Sequence, residues 1–134
     1  MNKFYIIFAA VLLISACRTA PVNISQDLSP AELIQRAQEA SDRNRYDVAL
    51  QYYRALQERY SDSIDLAITA EYEIALINYK QKNYQIAREG FTSLLEYYDS
   101  PDEELLPQHF KLLANIVLAR IDEEENQRQP FFKR

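Results

Sequence analysis

Apolar residues recur at threes and fours through most of this chain. Tyr46, Ala49, Tyr53, Leu56 and Tyr60 form one series, and Tyr84, Ala87, Phe91, Leu94 and Tyr98 form another. Such spacing places each series on one face of an α-helix. Upstream, Ser29-Pro30-Ala31-Glu32 reads as a helix start. Ser29 can cap, Pro30 suits the first helical position, and Glu32 can reach back to the cap. Ser100-Pro101-Asp102-Glu103 repeats that arrangement, and Pro107 makes the stretch either kink or properly begin there. A third helix, between the two series, carries apolar stripes on opposite sides: Ala67, Ala70, Ile74 and Ile77 on one, Tyr72, Leu76 and Tyr79 on the other. The last helix shows Phe110, Leu113, Val117 and Ile121 on one face and Leu112, Ile116 and Ala119 on the opposite one. Five helices are predicted. With a single Gly, the chain lacks the tight turns that sheets need, so the expected class is all-α.

The two series are copies of each other. Tyr46 aligns with Tyr84, Ala49 with Ala87, Tyr53 with Phe91 and Leu56 with Leu94, each 38 residues apart. The preceding helices share the same offset: Ala37 aligns with Ala75, and Ile34 with Tyr72 and then Phe110. A period of that size predicts a short solenoid of two helix-turn-helix repeats plus a terminal helix. The expected organisation is a leader over 1–16, a tether over 17–28, a helical domain over 29–121 and a polar tail over 122–134.

The leader and tether rest on the N-terminal residues. Met1-Asn2-Lys3 is a short basic start, and Phe4 to Ile14 is an apolar run too short to span a bilayer as a mature helix but suited to an export signal. Ile14-Ser15-Ala16-Cys17 closes it and resembles the lipobox of bacterial lipoproteins. The resemblance implies cleavage before Cys17, lipidation of its thiol and acylation of the freed amine. Two or three acyl chains hold a domain stably on a membrane, where one alone does not. Arg18 replaces the Asp that the family uses as its best-known inner-membrane retention signal. The resemblance therefore implies the periplasmic face of the outer membrane. Arg18 to Leu28 has no helical period and reads as a tether of about ten residues, reaching at most ~3.5 Å per residue.

The repeats also carry a resemblance. Asn44-Arg45-Tyr46-Asp47-Val48-Ala49 followed by Tyr53 and Leu56, and Lys82-Asn83-Tyr84-Gln85-Ile86-Ala87 followed by Phe91 and Leu94, resemble the second helix of the tetratricopeptide repeat. The Trp and Gly of that repeat's first helix are absent, and Ala37 and Ala75 hold the small position. A lipoprotein with such repeats, and with Tyr60-Ser61-Asp62-Ser63 and Tyr98-Asp99-Ser100-Pro101 as linkers, is similar to the BamD family of outer-membrane β-barrel assembly lipoproteins. Ser61 and Asp99 stand where that family commonly has Pro, and the chain matches only the family's N-terminal part. The resemblance implies binding of client or partner segments by a membrane-tethered scaffold.

Composition narrows the chemistry. A net charge of -5 argues against a nucleic-acid partner. One Cys and one His leave no internal disulfide and no basis for a Cys/His metal site. His109 reads as a half-exposed structural residue, and Asp122-Glu123-Glu124-Glu125 as a solvated acidic run without metal-site spacing. Gly90 lies within a helix and suggests a close crossing. No catalytic residue and no cofactor is expected. The expected function is a protein-interaction scaffold in outer-membrane protein assembly. The alternatives are an adaptor for peptidoglycan remodelling or solute transport, and a small-ligand carrier. Tyr72, Leu76 and Tyr79 are candidates to face a partner peptide, unless the neighbouring helices cover them. Leu112 and Ile116 are candidates to meet a partner protein or a second copy, unless a tail with Phe131 and Phe132 folds over them.

Overall fold

The computed structural model describes residues 20–128. Its helices are α1 (Pro30–Asp42), α2 (Tyr46–Arg59), α3 (Ile64–Lys80), α4 (Tyr84–Glu96) and α5 (Gln108–Arg128). Two 3-10 turns, Tyr97–Asp99 and Glu103–Leu105, link the last two, and the described residues contain no strand. The helices pack in succession: α1 against α2, α3 against α4, α2 against α3, and α5 against both α3 and α4.

Local chemistry sets the boundaries. The start of α1 is a capping box in which the Glu32 backbone N–H donates to the Ser29 hydroxyl while the Ser29 backbone N–H donates to the Glu32 carboxylate at 2.9 Å. The turns inside the two pairs match bond for bond. After α1, the Arg45 N–H reaches Ala40 O and the Asn44 N–H reaches Ser41 O, both at 2.9 Å. After α3, the Asn83 N–H reaches Asn78 O and the Lys82 N–H reaches Tyr79 O, again at 2.9 Å. Both are Schellman turns, and their left-handed residues are Asn44 (φ 57°) and Lys82 (φ 64°). The 38-residue repeat in sequence is therefore also a repeat in backbone conformation.

Two apolar cores share α3. One joins Leu33, Ala37, Ala49, Tyr53 and Leu56 of the first pair to Ala70 and Ile77. The other joins Ile68, Tyr72 and Ala75 to Ala87, Phe91 and Leu94 of α4 and to Ala114, Val117 and Ile121 of α5. From sequence, the Tyr72, Leu76 and Tyr79 stripe of α3 is a candidate to face a partner unless neighbouring helices cover it. In the structure the Ala70–Ile77 side packs back on the first pair, and the Tyr72 side packs forward on α4 and α5. At Gly90 an added Cβ would come within 2.9 Å of the Ala75 Cβ, so the expected close crossing lies between α3 and α4.

Three expectations about the ends are corrected. Ser100-Pro101-Asp102-Glu103 does not start an α-helix, only the short 3-10 turn Glu103–Leu105. Pro107 holds Leu106 extended (ψ 156°), and α5 begins only at Gln108. The last helix does not stop at Ile121, because Asp122, Glu124 and Glu125 find partners on α3 and α4 and carry it to Arg128. The tether is not free over its whole length. The Val22 N–H bonds Gln51 at 2.8 Å, Arg59 donates to the carbonyls of Ile24 and Ser25, and the Tyr60 hydroxyl donates to Leu28 O at 3.1 Å. Val22, Ile24 and Leu28 also pack against the first core.

The longer connection before α5 has a further consequence. α3 begins at Ile64 and α5 at Gln108, so these two helices correspond at 44 residues rather than 38. On that alignment Ala70 matches Ala114, Ile74 matches Leu118 and Ile77 matches Ile121, all of which face the preceding pair. Phe110 matches Leu66, not Tyr72.

Candidate functional site

The residues singled out from sequence fall into three groups. Cys17 and its motif, together with Phe131 and Phe132, lie outside the described residues.

Tyr72, Leu76 and Tyr79 do not line an open groove. Tyr72 is buried, with its ring 5.7 Å from that of Phe91 and 5.0 Å from that of Phe110. Leu76 and Tyr79 are half-buried against the same core. The cover is α5, which crosses this side of α3 and brings acidic residues with it. The Tyr79 hydroxyl donates to Glu124 Oε1 at 3.1 Å, and the Tyr84 hydroxyl donates to Glu124 Oε2. The hydrogen bond from Tyr84 holds the Glu124 carboxyl below its usual range. Arg88 Nη2 lies 2.7 Å from both Asp122 and Glu125. The acidic run read as a solvated face thus latches α5 onto α4. Its partners, Tyr84 and Arg88, were not identifiable from sequence because they lie about forty residues away.

Leu112 and Ile116 stand open, at 63% and 40% exposure, with Leu113 beside them and Leu105 in the preceding turn at 81%. Leu113, expected on the face that covers α4, is on the outside instead; Ala114 takes its place in the core. His109 is exposed, its ring 4.0 Å from that of Phe110.

On another side of the molecule α2, α3 and α4 enclose a cleft of about 390 Å³. Arg54 and Gln57 form one wall, Ile86, Glu89 and Ser93 the other, and Ile74, Ala75 and Gly90 the floor. Glu71 lines it too. Its Oε1 accepts from the Tyr97 hydroxyl at 3.3 Å, while its Oε2 is buried without a partner. Burial, with Glu96 nearby, pushes this carboxyl upward. The cleft has a mainly apolar lining, with one cation, Arg54, and the carboxylates of Glu71 and Glu89 at its sides. Gly90, read from sequence as a close crossing, lies in its lining.

Among the described residues no group of His, Cys, Asp or Glu is arranged to hold a metal ion, and no helix is long and apolar enough to cross a membrane. The described residues define an all-helical chain of successively packed helix pairs with exposed apolar and polar faces. No family model matches the chain, and no solved structure matches it. It is similar to an uncharacterized protein of Treponema pallidum (strain Nichols), 31% identical over 113 residues. The match covers 83% of this chain and 45% of the relative, so the chain spans just under half the relative's length.

Proposed function

We propose that this chain is a lipid-anchored, tetratricopeptide-like protein-interaction scaffold of the bacterial cell envelope, acting in outer-membrane β-barrel protein assembly. The observation that carries the scaffold reading is the repeated helix pair. Burial and the left-handed turn both recur at 38 residues. Stacked pairs of this kind expose extended faces made for binding other chains. Support for the anchor comes from Ile14-Ser15-Ala16-Cys17 at the end of an apolar run.

The docked segment sharpens what an anchor at Cys17 would do. Four residues, 18–21, separate Cys17 from Val22, which is held on α2. The five residue steps from Cys17 to Val22 span at most ~18 Å, so a lipid at Cys17 keeps α2 close to the bilayer. Partners would then meet α3–α5, farther along the stack.

The test is metabolic labelling with a radioactive fatty acid, then pull-down from solubilised envelopes. The wild-type chain takes up label and recovers the barrel-assembly protein, whereas Cys17→Ala loses the label and leaves the membrane fraction. Label that persists in Cys17→Ala refutes the anchor. Recovery of wall enzymes or a permease in place of the assembly protein refutes the assembly role and leaves the scaffold reading standing.

A further inference from the structure

The two helix pairs use one surface differently. On the first pair, residues 22–28 lie along α2. The Val22 N–H donates to the Gln51 side chain, Arg59 donates to the carbonyls of Ile24 and Ser25, and Val22 shares a hollow with Ala40, Val48 and Tyr52. At the 38-residue offset, Gln51 corresponds to Glu89, Arg59 to Tyr97, and Ala40, Val48 and Tyr52 to Asn78, Ile86 and Gly90. Glu89, Asn78, Ile86 and Gly90 all line the cleft between α2, α3 and α4. The cleft is therefore the repeat of a site that, on the first pair, holds a segment of chain. Two differences set it apart. Gly90 leaves open the space that Tyr52 fills, and Glu71 stands where the first pair buries Leu33. The fold needs no carboxylate at that position. Glu71 Oε2 is buried without a hydrogen bond, while the Tyr97 hydroxyl holds Oε1 at 3.3 Å. A buried acceptor left without a donor is costly.

We propose that this cleft binds a segment of another polypeptide, laid along α4 as residues 22–28 lie along α2, with a lysine or arginine side chain of that segment reaching Glu71. The choice of a polypeptide as ligand rests on the scaffold reading. The basic side chain follows from the chemistry of the cleft. Its apolar stem matches a floor of Ile74, Ala75 and Gly90. Its cationic head supplies the donor that Glu71 Oε2 lacks. Charge favours the same choice, since Glu71 and Glu89 outnumber Arg54 in the lining and Glu96 stands near Glu71. An apolar or acidic side chain leaves the Glu71 oxygen without its donor. The segment's main chain is served from both walls. Glu89, the counterpart of Gln51, offers an acceptor for an N–H, and Arg54 offers donors for a carbonyl.

Gly90 is the chain's only Gly, so its amide resonance is recognisable in a proton–nitrogen correlation spectrum and reports on the floor of the cleft. The full chain in non-ionic detergent is titrated with a short blocked peptide of Ala and Ser with a central Lys, and with the same peptide carrying norleucine in place of Lys. The expected result is a saturable shift of the Gly90 resonance with the Lys peptide and roughly 10-fold or more weaker binding of the norleucine peptide. Glu71→Leu, which installs the first pair's residue, should keep the circular dichroism of the wild type and lose the preference for Lys. If that variant fails to fold, the exposed Glu89→Lys decides, and should weaken the Lys peptide by a similar factor. A Gly90 resonance that does not shift, or equal binding of the two peptides, overturns the proposal. Preference for a peptide of residues 20–28 over the Lys peptide also overturns it, because the occupant is then a second copy of this chain. Envelope partners recovered by a chain whose Gly90 stays silent overturn this site and leave the scaffold reading standing. A Gly90 response in a chain that recovers no partner does the reverse.

Discussion

α3 and α5 carry the same apolar pattern 44 residues apart, and their fates differ. α3 is covered on two sides, by the first pair through Ala70 and Ile77 and by α4 and α5 through Ile68, Tyr72 and Ala75. α5 is covered on one side, through Ala114, Val117 and Ile121, and leaves Leu112 and Ile116 in solvent. A helix face in a stack becomes core or surface according to whether another helix packs onto it. The rest of α5's hold on the domain is polar: Glu124 on Tyr79 and Tyr84, and Asp122 and Glu125 on Arg88.

Truncation at matched positions gives the largest contrast. Tyr72→Ala empties the junction of α3, α4 and α5 and is expected to cost about 3–5 kcal/mol in urea unfolding. Ile116→Ala, its counterpart, is expected to change the unfolding free energy of the monomer by less than about 0.5 kcal/mol. Equal losses would mean that the outer face of α5 is already buried in the monomer.

Overpacking the α3–α4 crossing comes next. Gly90→Val drives a branched side chain into Ala75 and should cost about 1–3 kcal/mol. Gly90→Val combined with Ala75→Gly should recover part of that loss, because the contact that clashes is the Ala75 Cβ.

A half-buried carboxyl on α3 provides a pH-dependent test. Burial raises the Glu73 carboxyl above its usual 4.5, with Lys80 opposing. The folded state then holds this proton more tightly than the unfolded chain. Its contribution is fully present below 4.5 and is lost as pH rises through the folded value. Glu73→Gln should therefore raise the melting temperature at pH 7, and the gain should disappear below pH 4.5. A gain that is the same at both pH values would refute the assignment.

The smallest effects compare the two pairs. Lys82 occupies the left-handed position that Asn44 tolerates better, so Lys82→Gly should stabilise by about 1 kcal/mol and Asn44→Gly by less. Tyr53 matches Phe91, and its hydroxyl is buried without a partner, so Tyr53→Phe should be neutral or slightly stabilising. Chemical denaturation resolves both.

The helix pairs were legible because each signal is local. Ser29 and Glu32 are three residues apart, and a turn such as Arg43–Arg45 closes within five residues of Ala40. The candidate surfaces were legible only in part. Tyr72 and Ile116 look alike on a helical wheel, and nothing near either residue says which will be covered.

The apolar period, the 38-residue copy and the caps depend on neighbours within one or two turns of helix, so sequence alone determined an all-α chain of paired helices. Only the tertiary structure decided where α5 docks. Pro107 delays its start, the connection from α4 lengthens, and the helix docks at an offset of 44 rather than 38. Val117 and Ile121 face inward and Leu112 and Ile116 outward, as the helical period has them, while Ala114 takes the place of Leu113 in the core and α5 covers Tyr72. Register of this kind is set by contacts between residues some forty positions apart, which no local pattern encodes.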